Sequence, residues 1–189
     1  MTVMAIVLAA YFLGSIPFAY IVTHIVSRTD IRRLGDGNAG GKNTVESVGF
    51  LPGALVGLLD IGKGVLAVML AQRFSDSEVV ALIAGAAAVI GHDFPIFLKF
   101  KGGQGMAAMV GTFVAFMPQL VLLSAVVTFV TLAVTRNWNV SCAVGFVLLV
   151  VLMVVTRQSI RLLTYTIIML PSLAMTKILQ RRHARVGQV

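Results

Sequence analysis

Residues 3–26 read VMAIVLAAYFLGSIPFAYIVTHIV, an apolar run that no lysine, arginine or acidic residue interrupts. As a helix rising 1.5 Å per residue, it covers about 36 Å, more than the roughly 30 Å hydrocarbon core of a bilayer. No basic residue precedes the run and no small-x-small cleavage site follows, so it reads as a retained span and not as a signal peptide. Arg28, Arg32 and Arg33 come directly after it, which places the N-terminus outside and the polar, glycine-rich loop of residues 27–48 in the cytoplasm.

The rest of the chain has the same solvent. Of 189 residues, 58% are hydrophobic and 12% charged, with a mean hydropathy of +0.97. An ordinary soluble domain is about 25% charged, so a soluble globular protein is excluded and one integral-membrane domain over residues 1–189 is expected. Fifteen basic residues against seven acidic give a net charge of +8. No basic stretch is interleaved with aromatics, so this surplus reports membrane topology and not nucleic-acid binding. Cys142 stands alone in an apolar run and reads as a packing residue, and no metal-ligand spacing is present.

Further spans are expected at residues 50–71 and 79–98, joined by an outer link at 72–78, with residues 99–106 returning to the cytoplasm. The apolar run 107–135 is broken by Pro118, and two more runs follow at 138–156 and 162–178 before a basic tail at 177–185. A cytoplasmic tail requires an even number of crossings after residue 106, so Pro118 is expected to separate two unusually short helices. The expected fold is therefore all-α and polytopic, with about seven transmembrane helices. The alternative lays the last run flat at the interface, because Arg157 and Arg161 otherwise face outside. Short or interrupted apolar segments tend to surround a cavity.

Three stretches could carry chemistry. The first, from Gly35 to Asn43, holds Gly37, Asn38, Gly40, Lys42 and Asn43; its glycines can turn N–H groups toward an anion, with the asparagines adding amide donors, or it is simply a connecting loop. The second is Asp60-Ile61-Gly62-Lys63-Gly64, inside a span. Spacing of three puts Asp60 and Lys63 on one helix face, as a structural ion pair or as a functional one. The third runs from Gly91 to Gly105. It includes His92, Pro95, an apolar shoulder of Phe94, Phe97 and Phe100 suited to an acyl chain or lipid, and Lys101-Gly102-Gly103, which can present N–H groups and a cation to an anion. His92 is the best titratable candidate; His24 and His183 earn no role. No GxSxG, HExxH or Walker A motif occurs, so hydrolase, metalloprotease and ATPase chemistry have no support.

At these residues, together with Gly14-Ser15-Ile16-Pro17, the chain resembles the bacterial integral-membrane glycerol-3-phosphate acyltransferases that use acyl phosphate as donor. The resemblance covers most of the chain. It implies a seven-helix enzyme of the bacterial inner membrane, with the C-terminus and active site at the cytoplasmic face. The reaction it implies is acyl transfer from acyl phosphate to the 1-hydroxyl of glycerol 3-phosphate, among membrane lipids and without cofactor or metal. His92, Lys63 and Asn38 are then the catalytic candidates. Gly37, Gly40, Lys42, Asn43, Asp60, Lys101, Gly102 and Gly103 are the substrate-binding ones.

The departures are specific. Asp36 stands where the family has serine, Lys42 where it has threonine, Glu46 where it has arginine, Gln104 where it has lysine and Ala108 where it has threonine, and the usual C-terminal histidine-asparagine signature is only echoed at residues 157–161 and at Arg181-Arg182-His183. Asp36 and Glu46 bring negative charge to a phosphate site. Loss of two cationic donors, at about 1.5–3 kcal/mol each, weakens phosphate binding unless lysines such as Lys42 compensate. That leaves a second possibility from another class: a catalytically degenerate homologue serving as a structural or lipid-binding subunit with membrane-protein partners. A transporter is a distant third.

Overall fold

A computed structural model describes residues 2–171 and residue 176. The basic tail, with Arg181, Arg182 and His183, and the end of the last apolar run lie outside the described residues. Among those described, the chain is helical throughout and contains no strand. The chain is a multi-pass membrane protein.

The first apolar run forms two helices, α1 (Val3–Gly14) and α2 (Phe18–Ser27), separated at Ser15-Ile16-Pro17. Pro17 has no N–H to continue the ladder and fixes its own φ, which accounts for the break. A short helix α3 (Gly41–Ser47) follows the glycine-rich loop, and then come α4 (Phe50–Phe74) and α5 (Glu78–Asp93). After a 3₁₀ turn at Ile96–Leu98 the chain continues as α6 (Met106–Phe116), α7 (Pro118–Thr135), α8 (Trp138–Val155) and α9 (Ile160–Pro171).

Among the described residues, five helical stretches are long and apolar enough to cross a membrane: α1 with α2, α4, α5 with the turn after it, α7 and α8. The helices α6 and α9 are shorter. The break at Pro118 is where the sequence puts it, but only one of the helices meeting there is short: α6 has 11 residues and α7 has 18. Proline is well tolerated at the first position of a helix, so α7 begins on it and runs its full apolar length.

The core is built on α4, α5 and α6. Gly64 of α4 lies on the backbone of Ala108 in α6, and Gly111 of α6 lies on the Ile61 carbonyl of α4, with the two glycine Cα atoms also in contact. Such small-residue contacts let two membrane helices approach closely where no hydrophobic effect drives them together. Ala108, where the family pattern has threonine, is fully buried in this contact. α1 packs on α5 through Ile6, Ala10, Ala84 and Ala88, while α7 and α8 form an outer pair whose apolar side chains Leu122, Val126, Phe129 and Val130 are exposed, as a lipid-facing surface requires.

Residues 159, 161 and 176 contact the two ends of α5. At its start, Ser159 and Arg161 bind Glu78, the first residue of α5, with Arg161 Nη1 3.5 Å from Glu78 Oε2. Farther along, the Thr176 hydroxyl donates to Asp93 Oδ2 at 2.9 Å, at the other end of α5.

Candidate active site

The i,i+3 spacing on α4 does what it predicts. Asp60 and Lys63 point the same way and pair at 2.9 Å, each about 2% exposed. The same carboxylate oxygen, Asp60 Oδ1, lies 3.4 Å from His92 Nδ1 on α5. One buried acid thus connects the two groups the sequence singles out, 29 residues apart in the chain. Lys63 also donates to the Ile16 carbonyl at 3.2 Å, so it reaches the break between α1 and α2, where its ammonium lies 5.8 Å from the centre of the Phe18 ring.

The loop after α5 is folded back onto His92. Gly102 N–H donates to the Asp93 carbonyl and Gly103 N–H to the His92 carbonyl, at 3.2 and 3.0 Å. Their N–H groups are therefore turned onto the end of α5 and not outward to an anion, contrary to the expectation from sequence. These hydrogen bonds satisfy two carbonyls that the end of a helix leaves unpaired. The glycines also make room: a Cβ on Gly103 would fall on the His92 imidazole, and one on Gly102 on the His92 carbonyl and the Pro95 ring. Lys101 is exposed beside them, Gln104 is half-buried, and Phe97 and Phe100 stand out from the turn at 61% and 57% exposure.

The glycine-asparagine loop is organised from within. Asn43, fully buried, donates from Nδ2 toward the carbonyls of Ile31, Leu34 and Asn38, and its Oδ1 accepts from Asp36 N–H and the Ser47 hydroxyl. Gly37 N–H goes to the Leu34 carbonyl and Gly40 N–H to the Asn38 carbonyl. These donors therefore hold the loop closed and do not form an open nest, with the Asn43 amide in its centre binding the same Leu34 and Asn38 carbonyls and accepting from Asp36 N–H. The Asp36 carboxylate accepts from Asn38 N–H at 3.0 Å. A hydroxyl can make the same local turn, so aspartate substitutes for serine there. Lys42 and Glu46 pair with each other at 2.8 Å on the outside of α3, so Lys42 supplies no spare charge and Glu46 adds none. Asn38 keeps a buried Oδ1 with no protein partner.

Below the loop, Arg32 donates bidentately to Asp30 and through Nη1 to the Leu98 carbonyl at 3.1 Å, tying this loop to the turn after α5. The guanidinium holds the Asp30 carboxyl below its usual pKa.

These elements meet at a small cleft lined by Gly14 to Phe18, Ala39, Asp60, Lys63, His92, Pro95, Leu98, Gly102 and Gly103. It encloses about 190 Å³ including its mouth. Of the sequence candidates, the cleft brings together Asp60, Lys63, His92, Gly102 and Gly103. Ala39 brings the glycine loop to its wall, while Lys42, Asn43, Lys101 and Gln104 do not line it. Sequence reasoning missed the lining by Ser15 and the Ile16 carbonyl. Pro17 within the first apolar run was the available signal.

The family model described as Glycerol-3-phosphate acyltransferase matches residues 4–186. The chain belongs to that family. Among its relatives, glycerol-3-phosphate acyltransferase 1 of Dehalococcoides mccartyi is 44% identical over 75% of this chain and 70% of its own length. The acyltransferase of Bacillus cytotoxicus is 36% identical over 97% of this chain and 89% of its own. The crystal structure of PlsY (YgiH), an integral membrane glycerol 3-phosphate acyltransferase, in its glycerol 3-phosphate form, superposes with a TM-score of 0.85 at 27% identity, covering 98% of this chain and 92% of that one. Its lysophosphatidic acid form gives 0.83 at 26% identity over the same shares. The all-helical fold described above is thus similar over nearly its whole length to that of a glycerol 3-phosphate acyltransferase.

Proposed function

We propose that the chain is a membrane acyltransferase of phospholipid biosynthesis that moves a fatty acyl group from acyl phosphate to the 1-hydroxyl of glycerol 3-phosphate. The observation that supports this reading most is the single buried carboxylate of Asp60 holding both Lys63 and His92 at one cleft. A carboxylate on Nδ1 sets the tautomer that leaves Nε2 free to accept a hydrogen bond. In this reading His92 Nε2 receives the acceptor hydroxyl, and Lys63 offsets charge on a phosphate at the cleft. The hydroxyl oxygen attacks the acyl carbonyl carbon as its proton passes to His92 Nε2, the bond from that carbon to the phosphate oxygen breaks, and the proton passes from Nε2 to the departing phosphate. Positioning and fixed charge then supply most of the acceleration.

Asn43, Gly102 and Gly103 support this site as framework, holding the loop and the imidazole, while Asn38 and Lys101 stand at its margin. Asp36 and Glu46 were the reason to consider a non-catalytic scaffold. Both are engaged locally, by Asn38 N–H and Lys42, and Lys63 is the lysine that lines the cleft, so the transfer reading rests on that one cation while the missing arginine and lysine remain the motive for the alternative. We place the protein in the bacterial inner membrane as one domain with seven crossings, the N-terminus outside and the C-terminus cytoplasmic. The contacts of residues 159–161 and 176 with the two ends of α5 support the last crossing, and Glu78 offsets the outward-facing Arg161. Purified protein given acyl phosphate and glycerol 3-phosphate should release inorganic phosphate and form lysophosphatidate; release that does not depend on glycerol 3-phosphate would refute the transfer.

A further inference from the structure

Hydroxyl side chains in this protein have a common habit. Ser27, Thr44, Thr112, Thr128, Ser141 and Thr166, among others, donate to the backbone carbonyl four residues earlier, which satisfies a hydroxyl inside a membrane helix. Ser15 does not. Its side chain is fully buried and its Oγ has no protein partner. Three other buried hydroxyls, Thr23, Ser124 and Tyr165, share that condition, but none of them lines the cleft where Lys63 and His92 meet, and Ser15 does.

The position of Ser15 is fixed independently of its hydroxyl. Its N–H donates to the Tyr11 carbonyl at 2.9 Å, ending α1. Just there α1 lies tightly on α5: Gly14 rests on the Ala88 backbone, and Gly91 rests on the Tyr11 carbonyl and within 2.9 Å of Ser15 N, measured from where its Cβ would be. Gly91 directly precedes His92, so the helix contact that sets Ser15 also sets the imidazole. The next residue, Ile16, offers its carbonyl to Lys63 Nζ. A buried donor is thus held beside the site's cation with no acceptor of its own, where an alanine would leave nothing unsatisfied.

We infer that Ser15 is a substrate-binding residue whose hydroxyl donates to a phosphate oxygen of the substrate held against Lys63. This rests on the acyltransfer reading above and adds to it a donor outside the three stretches that the sequence marks for chemistry. Both substrates carry a phosphate, and the chemistry of the contact is the same for either.

The test compares purified wild-type protein with Ser15→Ala, measuring KM for each substrate in turn, kcat and melting temperature. The expected result is a rise in KM of tenfold or more for one phosphate-bearing substrate, with kcat changed less than threefold and no fall in melting temperature, since no bond within the protein is lost. A rise for glycerol 3-phosphate alone assigns the contact to the acceptor; a rise for acyl phosphate alone assigns it to the donor. Both KM values within twofold of wild type overturn the inference, as does a lower melting temperature with a uniform loss of kcat, which marks a packing role. Should wild-type protein fail to turn over, the acyltransfer reading is what has failed. Ser15 is then judged by inorganic phosphate alone: stabilisation of wild type and not of Ser15→Ala supports the contact, and equal or absent stabilisation of both overturns it.

Discussion

Lys63→Met separates the two roles open to the buried pair on α4. Lys63 and Asp60 are each about 2% exposed, and breaking a buried pair by removing one partner costs about 3–5 kcal/mol because a buried charge is left behind. Here His92 Nδ1 lies 3.4 Å from the same Asp60 oxygen and can share that charge, so the lower end, about 3 kcal/mol, is expected. For a chain of this size, roughly 2–4 °C per kcal/mol makes this a fall in melting temperature of about 6–12 °C. The double variant D60N/K63M removes both charges and should recover most of that loss, to within about 4 °C of wild type. Activity should not recover with it. A hydrogen bond to a charged phosphate contributes about 1.5–3 kcal/mol, so kcat/KM is expected to stay down by about 10- to 100-fold in both variants. Thermal melts in detergent and steady-state phosphate release measure the two quantities on the same samples. A double variant that regains activity along with stability would show the pair to be structural only and would refute the role given to Lys63.

Gly103→Ala puts a methyl group where the His92 imidazole lies. Displacement of a reacting group by about 1 Å can cost on the order of 100-fold in rate, so kcat should fall by that order while a Gln104→Ala control stays within a few-fold of wild type; unchanged kcat in Gly103→Ala contradicts the placement of the imidazole. Asn43→Ala removes the amide at the centre of the glycine loop, at roughly 1 kcal/mol for each hydrogen bond not replaced, and should speed hydrogen exchange over residues 34–40; unchanged exchange there would mean the loop is held by something else. Because Arg32 holds the folded-state pKa of Asp30 below its ordinary value of 3.8, the stabilisation by this pair is present above about pH 4 and is lost as pH falls through the lowered value. The difference in melting temperature between wild type and Asp30→Asn should therefore be constant from neutral pH to about pH 5 and shrink only in stronger acid; shrinkage already near neutrality would be inconsistent with the pairing.

Apolar length made the spans readable, and i,i+3 spacing made Asp60 and Lys63 readable as a pair, because both depend on neighbours along the chain. His92 joining that pair depends on how α4 and α5 pack, through residues 32 positions apart, and no local pattern carries it. The glycine loop misled for a physical reason. Glycine permits an open nest, but the Gly37 and Gly40 N–H groups turn inward to the carbonyls of Leu34 and Asn38, which Asn43 Nδ2 also binds, and that outcome is decided by geometry and not by composition. Lys42 and Glu46 stand four apart, the spacing of a helical ion pair, yet they read as departures from a phosphate site because their helix, α3, has only seven residues and is hard to see in sequence. The hydroxyl of Ser15 is invisible in the same way: Pro17 marks the break, but only the packing of Gly14 and Gly91 shows where the serine goes.

The claim most exposed to test is that a site carrying Asp36, Lys42, Glu46 and Gln104 works as it stands. Turnover of acyl phosphate and glycerol 3-phosphate by wild-type protein, measured beside the fourfold variant D36S/K42T/E46R/Q104K, addresses it directly. Activity of the wild-type chain within tenfold of that variant is the expected result, since its altered charges are engaged locally or lie off the cleft. Turnover that appears only in the fourfold variant would contradict it, and would identify the natural chain as a scaffold that has lost its chemistry.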